Sequence, residues 1–132
     1  MAKILRLKVY PKWFEMIKSG EKKEDYREIN LEWIKKLLIL PEDFHISDFY
    51  VNNGNHGYSY LTNSPEMLLE IYKPIKYKKY IFINTKNKKQ LYVKPKKLII
   101  GRGKLEWGAD KYKYKKYFVL RLGEVLNEKK KK

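Results

Sequence analysis

The sequence contains no cysteine and only two histidines, and each scarcity excludes a kind of site. Without cysteine there is neither a disulfide framework nor a thiolate metal centre, and two histidines without nearby carboxylates do not make a zinc centre. We therefore expect no metal and no cofactor. No stretch approaches the roughly eighteen consecutive apolar residues of a membrane helix, and the N-terminus is too short in apolar length for a secretory signal. The chain is expected to be soluble and cytoplasmic, with no membrane partner.

Arginine is also scarce, since only Arg6, Arg27, Arg102 and Arg121 stand among the 31 basic residues. Bidentate recognition of phosphate or guanine depends on arginine, whereas lysine presents a hydrated point charge. This balance favours loose contact with phosphates over the reading of a base sequence.

What the chain has in excess is positive charge, with a net charge of +16 alongside 15% aromatic residues. Residues 1–72 carry ten bases against eleven acids, whereas residues 73–132 carry 21 bases against four acids. This composition is typical of a protein that meets polyanions. A genome rich in A and T would also raise the lysine content, but it explains a one-sided distribution poorly.

The most chemically specific stretch is Gly20–Arg27, with the sequence GEKKEDYR. It follows a predicted amphipathic helix over Pro11–Ser19, for which Gly20 is the expected C-terminal cap. Beyond the glycine the residues alternate as in a strand, so that successive side chains face opposite sides. The two predicted faces are Lys22, Glu24 and Tyr26 on one side, and Lys23, Asp25 and Arg27 on the other. Such a cluster can grip a phosphate, orient a base or transfer a proton, but a solvated charge run looks similar.

The spacing of Gly20, Lys22, Asp25 and Arg27 resembles the G-x-K-x-x-E-x-R signature of ASCH domains, with aspartate in place of the commoner glutamate. Gly101–Ala109, GRGKLEWGA, is similar to the G-x-G-x-x-E-W-G segment of the small bacteriophage-type members. The resemblance covers nearly the whole chain. It implies a PUA-like β-barrel and a nucleic-acid or nucleoside ligand. Some ASCH proteins hydrolyse the amide of acylated cytidines, and others have been associated with RNA cleavage.

We therefore expect a single α+β domain over residues 1–126, a PUA-like, mostly antiparallel β-barrel. Two N-terminal helices are predicted, over Pro11–Ser19 and over Leu31–Leu38, the second capped by Asn30. Met67–Lys73 alternates loosely and is predicted to be a strand.

Residues 73–97 contain ten lysines and no acid, and they are predicted to form a basic β-hairpin inserted into the barrel. Its strands would include Ile81–Ile83 and Leu91–Val93, with lysines at the tip. Residues 127–132 are predicted to be a disordered basic tail.

Further candidate ligand-binding residues lie in the basic second half. They are Lys86, Lys88 and Lys89 at the hairpin tip, Arg102, Glu106 and Trp107 in the glycine-rich segment, and Lys113 and Lys115 in the KYKYKK run. Trp107 can either stack on a base or lie buried under the barrel. The tyrosines of the run either pack on the body or form a stacking track with the lysines.

Two functions are open. The first is a nucleic-acid-binding protein that takes single-stranded RNA or a modified nucleoside in the cleft near Gly20, Lys22, Tyr26 and Arg27. The alternative is a hydrolase of the same fold, an N4-acylcytidine amidohydrolase or a ribonuclease, with Lys22 and Asp25 at the active site. A protein-interaction module is a third possibility.

Overall fold

The computed structural model describes residues 3–45, 50–52, 59–61, 65–112 and 114–126. The described strands are β1 (Ile4–Val9), β2 (Glu24–Arg27), β3 (Tyr50–Asn52), β4 (Ser59–Leu61), β5 (Lys79–Asn84), β6 (Gln90–Gly101) and β7 (Tyr117–Leu126). The described helices are α1 (Pro11–Ser19), α2 (Leu31–Leu37) and α3 (Met67–Ile71), with a short 3₁₀ helix at Leu105–Trp107. Lys113 and the predicted tail lie outside the described residues.

Five strands form one curled, half-barrel sheet in the order β1-β5-β6-β7-β2. The pairs β5–β6, β6–β7 and β7–β2 are antiparallel, but β1 and β5 run parallel, so the sheet is mixed. A separate antiparallel pair joins β3 to β4. The order leaves β1 and β2 at the two edges of the large sheet.

One face of the sheet carries the main core, because apolar residues alternate with polar ones along β1. Leu7 of β1, Phe82 of β5 and Phe118 of β7 are fully buried there. Helix α1 adds Phe14 and Ile17, and α2 adds Ile34. A smaller cluster around Val119 and Tyr117 lies apart from the main core.

Both predicted N-terminal helices are confirmed, and their ends form as the sequence indicates. Gly20 ends α1 in the left-handed conformation, at φ 87°, and donates its backbone N–H to the carbonyl of Ile17. The Asn30 side chain accepts the backbone N–H of Trp33 at 3.0 Å and thereby caps α2.

The predicted strand over Met67–Lys73 is wrong, because Met67–Ile71 forms α3. Leu68 of this helix is buried, and Leu69 packs against the same core. A short apolar run fits either period, so alternation alone misassigned it.

The predicted hairpin is confirmed as β5 and β6, but it is not an appendage of the sheet. Its strands occupy the middle of the sheet, with β1 on one side and β7 on the other. The turn between Asn84 and Gln90 joins these two strands, and most of its residues are exposed. Among the described helices none is long and apolar enough to cross a membrane.

Candidate functional site

The open side of the half-barrel is the seam between the two edge strands, β1 and β2. Arg27 of β2 crosses this seam and donates from Nη2 to the backbone carbonyl of Lys8 in β1, at 3.0 Å. Helix α1 connects the same two strands in sequence. A cavity of about 380 Å³, which we call the seam cavity, opens beside this contact.

Four aromatic and four charged residues line the seam cavity: Tyr10, Trp13, Tyr26 and Trp107, with Lys8, Lys22, Asp25 and Arg27. Sequence alternation places Asp25 and Tyr26 on opposite faces of β2. Both reach the cavity because β2 is an edge strand and the cavity lies beside that edge.

Lys22 is buried, with only 3% of its surface exposed, and its ammonium is held by backbone oxygens. Nζ donates to the carbonyl of Glu24 at 2.6 Å and to that of Trp107 at 2.5 Å. The same atom lies 4.9 Å from the ring centroid of Tyr26 and 5.4 Å from that of Trp13. Burial lowers the pKa of Lys22 to about 8, although the charge of Asp25 acts in the other direction.

Asp25 is paired with Arg27 rather than with Lys22. The Nε of Arg27 lies 2.6 Å from Oδ2 of Asp25, and both side chains are largely buried. The guanidinium carbon is also 4.9 Å from the ring centroid of Trp33 on α2. Arg27 is therefore fixed by a carboxylate, a carbonyl and an aromatic face at the same time.

Tyr26 joins β2 to the glycine-rich turn of the second half. Its hydroxyl donates to Oε1 of Glu24 at 2.8 Å and accepts the backbone N–H of Lys104 at 2.9 Å. Burial raises the pKa of Tyr26. A side chain at Gly103 would place its Cβ 2.8 Å from the Tyr26 ring and 2.8 Å from the Cβ of Ala109. The turn can approach Tyr26 only because this residue is glycine.

The following glycine, Gly108, brings the second half against α1. It adopts φ +104° after the 3₁₀ helix, and a Cβ there would lie 3.2 Å from the Trp13 ring. Trp13 and Trp107 therefore line the same cavity although they are far apart in the chain. Trp107 is partly buried and bounds the cavity, so stacking and packing are both open to it.

The basic hairpin tip begins next to the seam cavity. Thr85, the first residue of the turn, lines the cavity and donates its backbone N–H to the carbonyl of Val9 at 3.0 Å. Lys86, Lys88 and Lys89 follow in the exposed turn. Lys88 has φ 65° and donates from Nζ to the carbonyl of Thr85 at 3.0 Å.

A second depression of about 380 Å³, which we call the side groove, shares Tyr26, Arg27 and Gly108 with the seam cavity. Its other wall includes Lys115, whose ammonium bonds Oε2 of Glu28 at 2.8 Å. This hydrogen bond raises the pKa of Lys115.

The remaining predicted site residues are dispersed. Arg102 and Glu106 are exposed and line neither depression, and Arg102 lies 5.3 Å from the ring centroid of Tyr114. Lys113 is outside the described residues. Gly20 positions Lys22 by ending α1 two residues before it.

Sequence reasoning did not identify six residues that line the cavity: Lys8, Val9, Tyr10, Trp13, Thr85 and Gly108. The sequence places Trp13 on the apolar arc of α1, and only the structure shows that it is partly buried and lines the cavity. No local sequence pattern points to Lys8 or Thr85, since their proximity to each other depends on the long-range pairing of β1 with β5.

No family model, curated protein or solved structure matches this chain. Among the residues that the structure describes, no group of three or more His, Asp or Glu side chains is placed to hold a metal ion.

Proposed function

We propose that this protein is a nucleic-acid-binding module of the ASCH type with a PUA-like fold, and that it takes a nucleobase of single-stranded RNA in the seam cavity. The observation that carries the proposal is the convergence of four aromatic residues with Lys22 and Arg27 around a cavity of about 380 Å³. This volume lies within the range of small-molecule sites. Aromatic faces accept any base by stacking, and cations beside them suit the attached phosphates.

The donor inventory of Lys22 supports a polar ligand. An ammonium has three N–H donors, and two are directed to the carbonyls of Glu24 and Trp107 in the described structure. The third is left for an oxygen or ring nitrogen of the ligand. Since Lys22 is held from both sides, it would present this donor at a fixed place with little loss of rotamer entropy.

The charge of the hairpin tip supports a polymer with phosphates. Three lysines follow Thr85, and Thr85 itself lines the cavity. A strand whose base occupies the cavity would bring its backbone within reach of this tip. Lysine contacts of this kind add affinity without sequence preference.

Titration of tryptophan fluorescence with UMP, N4-acetylcytidine, U8 and dT8 would test the proposal. We expect binding of U8, weakened by about 1.5–3 kcal/mol in Lys22→Met through the loss of one charged hydrogen bond. Trp107→Ala should also weaken it, while Trp107→Phe should retain most of the affinity. Lys23→Met, at an exposed neighbouring position, is the control. Failure of every ligand to bind at low salt would overturn the proposal.

The alternative function is hydrolysis of an N4-acylcytidine amide, and the lowered pKa of Lys22 favours it. The neutral amine would take a proton from water, the hydroxide would add to the amide carbonyl, and the proton would pass to the departing amino nitrogen. Asp25 would act on Arg27, to which it is bound, rather than as the direct partner of Lys22. Release of cytidine and a carboxylic acid that disappears in Lys22→Met, at sub-stoichiometric enzyme, would establish this activity. Shortened labelled RNA would establish a ribonuclease in the same way.

A further inference from the structure

The KYKYKK run contains two exposed aromatic side chains that the seam cavity does not use. Tyr112 is 62% exposed and Tyr114 is 57% exposed. Their rings lie edge to face with centroids 5.7 Å apart, an arrangement that aromatic pairs favour. We call these two residues the tyrosine pair. Their exposure contradicts the alternative in which the tyrosines of this run pack against the body.

Positive charge accompanies the tyrosine pair. The guanidinium carbon of Arg102 lies 5.3 Å from the ring centroid of Tyr114, and Lys111 is exposed directly before Tyr112. Exposed rings beside cations are the combination by which proteins hold single-stranded nucleic acid, because each base offers a π-face and each phosphate a charge.

The turn that carries the tyrosine pair borders the side groove. Asp110 and Lys115 flank this turn in sequence, and both line the groove. Two hydrogen bonds hold the turn: the N–H of Lys115 donates to the carbonyl of Tyr112 at 3.1 Å, and the N–H of Tyr112 donates to the side-chain Oδ1 of Asp110 at 2.9 Å. The tyrosine rings themselves make neither of these bonds.

The side groove in turn adjoins the seam cavity through shared walls at Tyr26, Arg27 and Gly108. Seam cavity, side groove and tyrosine pair therefore follow one another along the surface. We propose that the tyrosine pair with Arg102 is a second base-stacking site, so that the ligand is a single-stranded oligonucleotide rather than a free nucleoside. This inference rests on the proposed function and names its ligand more closely.

Chain-length dependence tests the inference. We expect affinity to rise from UMP through UpU and U4 to U8, since a longer ligand reaches the second site. In the double variant Tyr112→Ala/Tyr114→Ala, the affinity for U8 should fall by about 5- to 150-fold for each stacked base lost. The affinity for UMP should stay unchanged, because UMP fills only the seam cavity.

The matched control is Tyr112→Phe/Tyr114→Phe, which keeps both rings and should bind U8 within about twofold of the wild type. Because neither tyrosine ring takes part in the two hydrogen bonds that hold the turn, the alanine variant is expected to keep the fold, and its thermal unfolding would verify this. Arg102→Gln should weaken U8 but not UMP.

Three results would overturn the inference. One is an affinity for UMP that equals that for U8, and another is an equal loss for both ligands in the alanine variant. The third is unchanged U8 binding in that variant. If neither UMP nor U8 binds, the proposed function fails together with the inference. If UMP binds but the affinity does not rise with ligand length, only the inference fails.

Discussion

The ammonium of Lys22 and the backbone carbonyl of Trp107 are 2.5 Å apart although the two residues are separated by 85 positions in the chain. This contact joins the signature stretch to the glycine-rich segment of the second half. The two motifs that carry the resemblance to ASCH domains are thus parts of one site. Lys22 accordingly has a structural role as well as the ligand-binding role proposed for it, and experiments have to separate the two.

The first prediction concerns the pH dependence of stability. Burial lowers the pKa of Lys22 to about 8 in the folded protein, against 10.5 for an ordinary lysine side chain. Between these values the unfolded chain binds more protons, so the contribution of Lys22 to the free energy of unfolding rises with pH. The free energy of unfolding of the wild type minus that of Lys22→Met should increase by on the order of 2 kcal/mol from about pH 8 to about pH 9.5, at roughly 1.4 kcal/mol per pH unit. Urea unfolding at several pH values measures it.

Tyrosine ionisation sets the upper limit of that experiment. Burial raises the pKa of Tyr26, and it raises the pKa of Tyr80 to about 12. The contributions of both residues to the free energy of unfolding therefore fall as the pH rises above about 10, the ordinary pKa of tyrosine. Lys23→Met, which removes an exposed neighbouring ammonium, controls for the loss of one charge. A difference that is flat or falls with pH, or a slope shared by both variants, would contradict the prediction.

The second prediction concerns Arg27 at the seam. Arg27→Lys keeps the charge but cannot reach Asp25, the carbonyl of Lys8 and the Trp33 ring together, so unfolding should become easier by about 1.5–3 kcal/mol. The control is Arg121→Lys, since Arg121 is 47% exposed and lies 3.4 Å from Glu24. That partly exposed pair should contribute about 0–1 kcal/mol. Equal effects of the two substitutions in urea unfolding would refute the special role of Arg27.

The third prediction uses two neighbouring glycines. Gly103→Ala should destabilise the protein by about 1–3 kcal/mol, because its Cβ meets the Tyr26 ring and Ala109 at 2.8 Å. Gly101→Ala should change the stability by less than about 0.5 kcal/mol, since nothing lies within 4 Å of its Cβ. Thermal unfolding compares the pair, and loss of U8 binding in Gly103→Ala alone would link this turn to the seam cavity. A Gly103→Ala protein as stable as the wild type would show that the turn can move away.

The fourth prediction is electrostatic. If about five lysines contact the phosphates of a single strand, the logarithm of the U8 affinity should fall with the logarithm of salt concentration at a slope near −3.5. Replacing Lys86, Lys88 and Lys89 by glutamine should reduce the slope by about 2, at roughly 0.7 per contact. The matched control replaces Lys18, Lys35 and Lys36, which are exposed on α1 and α2. Salt-independent binding, or an equal change in the control, would count against the hairpin tip as a phosphate contact.

Local features were predictable because neighbouring residues determine them. The apolar arc of Pro11–Ser19, the cap at Gly20 and the alternation of Lys22 and Tyr26 against Asp25 and Arg27 follow from helix and strand periods. The short run Met67–Ile71 was assigned wrongly because its period is ambiguous over so few residues.

Features that depend on distant pairing were not predictable. Thr85 reaches the cavity because β5 lies parallel to β1, and nothing local in either strand specifies that partner. The carbonyl of Trp107 as a ligand of Lys22 likewise depends on the turn at Gly103 fitting against Tyr26. The residue types identified Lys22 and Arg27 as candidate site residues, but their interaction partners could be located only in the folded structure.

The contact between Arg27 and the Lys8 carbonyl has a consequence for self-association. An edge strand presents unpaired peptide groups on which another chain can add a strand, which is a common start of aggregation. β1 and β2 are the two edges of the large sheet, and they face each other across a gap that one guanidinium spans. A partner strand would have to displace Arg27 from both the carbonyl and Asp25 before it could pair there. The side chain that borders the proposed ligand site thus also occupies one backbone acceptor of the edge strand β1 that another chain would need for strand pairing.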